Sequence, residues 1–218
     1  MSDENADAAV NTELGSTSGG LVLLGGASGS GKSYLARTYG RPHLVLDSFY
    51  REASEDSAVG GPGPEFPRTA YGEIDWDHPL TWNLRAAVDT IIELLESGRA
   101  RVPQYSIATS SITGYEDYEL ASGPIVAEGI FAAELPGVLT QLGIEFHAWY
   151  IDQHRFPTAA RRFARDVAER RKPVPFLLQR GWSLMRNEAE LRERYLQAGF
   201  TPVAKRELHQ RLKRMTTA

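Results

Sequence analysis

The chain contains no cysteine among its 218 residues. That excludes disulfides and thiolate metal centres. No apolar run approaches the roughly 18 residues a spanning helix needs, so no membrane partner is expected. Positive charge is not in excess either. Lys and Arg number 24 against 28 Asp and Glu, for a net charge of −4. A nucleic-acid partner, which calls for a basic surface, is therefore not expected. The first residues, "MSDENADAAVNTELGSTSGG", lack the basic start and apolar core of a secretory signal. They read as an acidic disordered tail over 1–18 ahead of a single domain over 19–218, and the expected location is cytoplasmic. Self-association is left open.

What is present is an alternation of apolar runs and helical patterns. Residues 20–25 read as a buried strand, followed by a glycine turn and a helix over 32–39. "HLVLD" at 43–47 is a second strand ending in an acid. Residues 51–72 are rich in Gly, Pro and Ser and predict a long mobile loop. Apolar spacing predicts a helix over 81–98, with Gly98 as its stop. "RARVPQYSI" reads as extended, "PIVAEGI" at 124–130 and "IEFHAWYID" at 144–152 as strands, and "ELPGVLTQLG" as a short helix. A basic helix over 158–171 and helical stretches over 176–197 and 202–215 complete the chain. Strands alternating with helices imply a three-layer α/β/α domain with a mostly parallel sheet.

The run "LVLLGGASGSGKSYLA" carries the clearest chemistry. Gly26, Gly31, Lys32 and Ser33 satisfy G-x-x-x-x-G-K-[ST] between a strand and a helix. The glycines let successive backbone N–H groups surround a phosphate, and the helix N-terminus faces the same anion. Gly26, Ala27, Ser28, Gly29, Ser30, Gly31, Lys32, Ser33 and the following Tyr34 are thus the candidate ATP contacts. Lys32 reaches the β- and γ-phosphates, and Ser33 can ligate Mg²⁺. Glu128, at the end of "PIVAEG", is a second Mg²⁺-side carboxylate. Asp47 is counted with these oxygen ligands too.

The fate of the terminal phosphate follows by comparison of signatures. A GTPase's N-K-x-D and a transporter ATPase's L-S-G-G-Q are both absent. A small-molecule kinase needs a base, an acceptor pocket and basic residues over the moving phosphoryl group. Asp47 ends the second strand, where ligands of parallel sheets collect, and is the candidate base. Arg161 and Arg165 are four apart on the basic helix and share a face, so both could offset phosphoryl charge.

These segments together resemble the uridine kinase / phosphoribulokinase family of P-loop kinases. "GGASGSGKS", "LDSFYR", "IDWDHPLTW", "VPQYS", "IVAEGIFA" and "RRFARDVAERRK" follow that family's motifs in order, over about residues 20–175. The resemblance implies a P-loop NTPase fold with a helical lid at about 157–175, and ATP with Mg²⁺ as cofactors. It implies transfer to a primary hydroxyl of a small molecule, in the first place a nucleoside such as uridine or cytidine. Asp47 takes the base role, Tyr50 lines the acceptor pocket, and Asp77, ahead of His78 and Pro79, binds a ribose diol. Trp76, Trp82 and Tyr105 supply flat walls. Arg170 and Arg171 join Arg161 and Arg165 on the lid.

Departures fall on the acceptor side. In "YSIATSSIT", Ser106, Ser110 and Ile112 stand where the family has Asp, His and Arg, so Ser110 becomes the pocket's candidate polar contact. Thr158 replaces the first lid arginine, for which Arg155 could substitute. Arg68 could enter the pocket from the "GGPGPEFPR" loop. Two other readings therefore stay open: a kinase for a different sugar or vitamin alcohol, and a nucleotide-binding regulator without catalysis.

Overall fold

The computed structural model describes residues 20–152 and 189–217. Strand β1 (Leu21–Gly26) leads into helix α1 (Lys32–Tyr39), and β2 (His43–Val45) follows. Helix α2 (Leu84–Ser97) precedes the hairpin of β3 (Arg99–Ser106) and β4 (Ser111–Glu119). Then come β5 (Ile125–Glu128), α3 (Leu135–Gln141) and β6 (Phe146–Asp152). Helix α4 covers 189–197, and β7 (Thr201–Ala204) runs straight into α5 (Lys205–Thr217).

Five strands form a parallel sheet in the order β2-β5-β1-β6-β7, with the β3-β4 hairpin as a separate antiparallel pair. β1 lies at the centre and is buried along its whole length. Its apolar sequence is what a strand covered on both faces requires. Alternate residues divide between two cores. Leu21 and Leu23 join Leu44, Ile125, Ala127 and α2, α3 and α4 residues such as Ile91, Leu135 and Tyr195. Val22 and Leu24 join Val126, Ile151 and α1 and α5 residues such as Leu35, Leu208 and Leu212. This is a three-layer α/β/α arrangement, the P-loop NTPase fold. Among the described residues, no helix is long and apolar enough to cross a membrane.

Three elements differ from the sequence expectation. β4 is unanticipated, because "SITGYEDYE" carries no apolar stripe and is largely exposed. The predicted helix over 202–215 begins only at Lys205, since Thr201–Ala204 pair with Trp149–Asp152 as an edge strand. Asp47 does not end β2; it sits in a 3₁₀ turn, Leu46–Phe49, immediately beyond it.

The 51–72 segment is organised around one buried carboxylate. Short 3₁₀ turns cover Ala53–Glu55 and Ser57–Val59. Asp56 Oδ1 accepts from the Ala58 and Phe66 amides at 3.0 and 3.1 Å, and Oδ2 accepts from the Arg68 guanidinium. Phe66 is thereby held in the interior, its ring 6.1 Å from that of Trp76. Arg68 is drawn to Asp56 and not into the acceptor pocket, because a buried carboxylate needs a charge partner.

Burial works to raise the Asp56 pKa, but the two amides and Arg68 outweigh it and hold the carboxyl below its usual range. The stabilisation this supplies is complete above the ordinary aspartate value and fades as pH falls below about 4. Limited proteolysis across that range should therefore show the 51–72 segment opening in acid. In Asp56→Asn it should be cleaved readily at neutral pH as well. Equal protection of both proteins at neutral pH would remove Asp56 from this role.

Candidate active site

The phosphate loop lies between β1 and α1. Gly26 has φ 149°, and a Cβ there would meet Ser30 Oγ at 2.8 Å, so only glycine fits the turn. Lys32 curls back so that its Nζ donates to the Gly26 and Ala27 carbonyls at 2.9 and 3.3 Å. The Ser30 hydroxyl is buried in the loop with no hydrogen-bond partner among the described residues. Tyr34 lies on the first turn of α1, exposed.

Sheet order brings two acids to this loop. β5 lies between β1 and β2, with Glu128 paired in register to Leu24 on one side and Val45 on the other. Asp47 follows two residues after Val45. Both acids thus stand at the carboxyl ends of neighbouring parallel strands, where such sheets bind ligands. Their approach is close enough to dictate Gly129: a Cβ there would lie 2.7 Å from Asp47 Oδ1 and 2.8 Å from Leu46 Cβ. The Ile130 amide donates to Asp47 Oδ1 at 3.4 Å.

The two carboxyls are pushed in opposite directions. Asp47 is reachable from the cleft yet ringed by protein atoms. That desolvation, with the charge of Glu128, raises its pKa against the lowering effects of the Ile130 amide and Lys32. Glu128 is buried, which alone would raise its pKa. The hydrogen bond from His43 Nε2 at 3.3 Å, the charge of Lys32 and the Ser33 hydroxyl bring it below the usual range instead. The site therefore pairs a carboxyl of raised pKa with one held ionised, the separation of roles that acid–base chemistry uses.

The acceptor side is assembled by backbone pairing between distant segments. The Asn83 amide donates to Phe49 O and the Arg51 amide to Thr81 O, both at 2.8 Å, with Tyr50 opposite Trp82. His78 Nδ1 accepts from the Leu80 amide at 3.2 Å and so caps the Pro79–Thr81 turn. Tyr50 meets Trp76, Tyr105 and Phe131 with ring centroids 5.8, 5.4 and 5.5 Å apart. Burial, then the charges of Asp47 and Asp77, push the Tyr50 hydroxyl strongly up. Asp77 is exposed at the cleft and within electrostatic reach of both Asp47 and Tyr50. Trp82 is a core residue: it is 2% exposed, stacked on Phe131 at 5.2 Å.

Ser110 stands at the hairpin turn with φ 48°, near the Tyr105 hydroxyl, which donates to the Arg51 carbonyl at 3.2 Å. Its carbonyl accepts from the Ala53 amide at 2.9 Å, and the Ile112 amide donates to Glu52 at 2.9 Å. The hairpin tip is thus stapled to residues 52–53. Arg161, Arg165, Arg170 and Arg171, with Arg155 and Thr158, lie outside the described residues.

Two supporting residues escaped sequence reading. His43 orients Glu128, but nothing local marks a histidine two strands from the phosphate loop. Tyr195 of α4 is buried, and its hydroxyl donates to the Gly129 and Ile130 carbonyls at 2.9 and 3.2 Å. Its ring occupies the space a Cβ at Gly25 would need, at 2.5 Å. It braces the turns that carry the phosphate loop and Gly129 together.

Among the described residues no cluster of three or more His, Cys, Asp or Glu could cage a metal by itself. Mg²⁺ does not ask for one: it takes one or two carboxylates and completes its shell with phosphates and water. The hard oxygens of Ser33 and Glu128, which lie near each other beside Lys32, fit that ion.

Fold and site together define a P-loop nucleotide-binding protein with a carboxylate-bearing cleft beside the phosphate loop. No family model matches the chain. In sequence it is uridine kinase-like. It is 29% identical to a uridine kinase of Saccharomyces cerevisiae over 73% of this chain and 31% of that protein. It is 27% identical to uridine-cytidine kinase A of Dictyostelium discoideum over 62% of this chain and 24% of that protein. A probable uridine-cytidine kinase of Caenorhabditis elegans is 31% identical over 40% of this chain and 32% of that protein. The matched region thus spans about a quarter to a third of these curated relatives. A solved structure of a possible uridine kinase from Bacillus stearothermophilus aligns at a TM-score of 0.41 and 18% identity, over 64% of this chain and 74% of that one.

Proposed function

We propose that the chain is an ATP- and Mg²⁺-dependent kinase that transfers a phosphoryl group to the primary hydroxyl of a nucleoside. The 5′-hydroxyls of uridine and cytidine are the first acceptors to test. The observation that carries this reading is the convergence of Asp47, Asp77 and Tyr50 on one side of the phosphate loop. In the proposed reaction the acceptor oxygen bonds to the γ-phosphorus, the bond to the β–γ bridging oxygen breaks, and ADP leaves. Asp47 orients the hydroxyl and takes its proton late in transfer. Lys32 offsets charge on the β- and γ-phosphates. Mg²⁺, held by Ser33 and Glu128, would offset charge on the same oxygens when bound. Tyr50, Trp76 and Tyr105 form the aromatic side of the acceptor pocket. The lid arginines Arg161, Arg165 and Arg170 remain part of the proposal on their sequence pattern alone.

Labelled ATP with a panel of nucleosides, pentoses and pantothenate-like alcohols tests the reading. Label should pass to a nucleoside. Tight ATP binding with no acceptor-dependent ADP from any of them would overturn it in favour of a nucleotide-binding regulator. Asp77 accepts from adjacent ribose hydroxyls in this scheme. Asp77→Asn should accordingly raise the acceptor KM by about 10- to 100-fold and leave the ATP KM unchanged, the scale of one charged hydrogen bond. An equal loss against a 2′,3′-dideoxynucleoside would argue against a diol contact.

A second acceptor class is favoured by one observation. Ser110 and Ile112 spend backbone groups on residues 52–53. Little remains at the hairpin tip to read a pyrimidine edge. A different sugar or vitamin alcohol is therefore the alternative acceptor, and the same panel separates the two.

A further inference from the structure

Asp47 and Tyr195 grip opposite sides of the same peptide. The Gly129 carbonyl and the Ile130 amide belong to one peptide unit, which is trans. Its N–H donates to Asp47 Oδ1 at 3.4 Å, and its C=O accepts from the Tyr195 hydroxyl at 2.9 Å. A trans peptide is planar, with its N–H and C=O pointing in opposite directions. Fixing the carbonyl on one side therefore aims the amide on the other. A carbonyl engaged in this way also polarises its N–H and strengthens the bond that it donates.

This peptide needs such a grip. Close approach to Asp47 requires glycine at 129, and glycine restrains the rotation of its flanking peptides least. Turned over, the peptide would present its carbonyl oxygen to the Asp47 carboxylate. The turn's own restraint on that carbonyl is a longer bond, 3.4 Å, from the Ala132 amide. Tyr195 adds a shorter one from a fixed position. Its side chain is buried, with its ring edge-on to Phe200 at 4.8 Å. Burial pushes the pKa of the hydroxyl strongly up, so it stays a donor. Helix α4 is itself anchored: Arg194 pairs with Glu134, and Arg192 donates to Asp152 Oδ2 at 3.0 Å.

We propose that Tyr195 is a positioning residue for Asp47. Through the 129–130 peptide its hydroxyl holds the Ile130 amide on Oδ1 and leaves the other carboxylate oxygen for the acceptor hydroxyl. This rests on the base role proposed for Asp47. The test is Tyr195→Phe, which keeps the ring and removes the hydroxyl. With an acceptor that the unmodified chain phosphorylates, kcat should fall about 10- to 100-fold, the scale of a misplaced reacting group. The KM values for ATP and acceptor should hold. Added to Asp47→Asn, the same change should cost no further turnover, because both act on one step. Independently of turnover, the Ile130 amide proton resonance should move upfield in Tyr195→Phe as its hydrogen bond weakens. An unchanged kcat or an unmoved Ile130 resonance would overturn the assignment. So would losses that add in the double variant, or a rise in both KM values matching the fall in kcat, the mark of general loosening. If the unmodified chain phosphorylates no acceptor, the proposed function fails instead, and the Ile130 resonance still decides whether Tyr195 aims that amide.

Discussion

Replacing Asp47 with asparagine is expected to lower kcat at least ~100-fold while ATP affinity stays nearly intact, the scale of a positioned general base. The substitution keeps the shape of the side chain and its contact with the Ile130 amide side of the site, and removes only the ability to take a proton. Lys32, the glycine turn and Ser33, the candidate nucleotide contacts, are untouched. Because desolvation by the surrounding protein atoms and the charge of Glu128 raise the Asp47 pKa, its base form is lost at a higher pH than that of an ordinary aspartate. Activity of the unmodified protein should therefore fall on acidification at a higher pH than an ordinary aspartate would give. The same shift has a stability consequence. A carboxyl whose pKa is raised on folding is stabilising in its protonated form below the unfolded value, and that contribution is lost as pH rises through the folded value. At neutral pH the ionised Asp47 thus works against folding, and Asp47→Asn should melt at a higher temperature than the unmodified protein. A steady-state assay and a thermal melt on one preparation check both signs. Full turnover in Asp47→Asn would move the base role elsewhere.

The second large effect is expected from Trp82, through stability. Its ring is stacked on Phe131, and its Nε1–H donates to the Leu46 carbonyl at 2.8 Å. Leu46 immediately precedes Asp47, so this bond ties the turn that carries Asp47 to the core. Trp82→Ala removes a large buried ring and should cost about 3–5 kcal/mol in denaturant unfolding. Trp82→Phe keeps an aromatic ring but orphans the Leu46 carbonyl, for a smaller cost of about 1–3 kcal/mol. Trp82→Phe should also lower kcat, since the turn carrying Asp47 loses its tether, while the ATP KM holds. A Trp82→Ala protein as stable as the unmodified one would mean that the ring is not part of the core.

Much of the donor half is legible in the sequence because it is local. A run of apolar residues, a glycine turn and a helix start lie within "LVLLGGASGSGKSYLA", and each of their requirements is met by neighbours in the chain. The position of Glu128 at the end of an apolar run is legible for the same reason. β4 was not, because most of its residues are exposed and those that are half-buried follow no period to read. β7 was not, because a four-residue edge strand containing Pro202 has one buried residue, Val203, and borrows its pairing from β6.

By itself, then, the sequence determined the phosphate loop, the α/β alternation and the identity of the acids available to it. Only the tertiary structure decided how they are used. Strand order set Asp47 beside Glu128, and His43, Lys32 and Ser33 held one carboxyl ionised while desolvation and the neighbouring charge raised the pKa of the other. Backbone pairing across about thirty residues brought Tyr50 to Trp82, and Asp56 drew Arg68 away from the cleft. The physical reason is the same in each case. Hydrogen-bond partners and local dielectric are properties of what surrounds a residue in space, and no spacing along the chain encodes them.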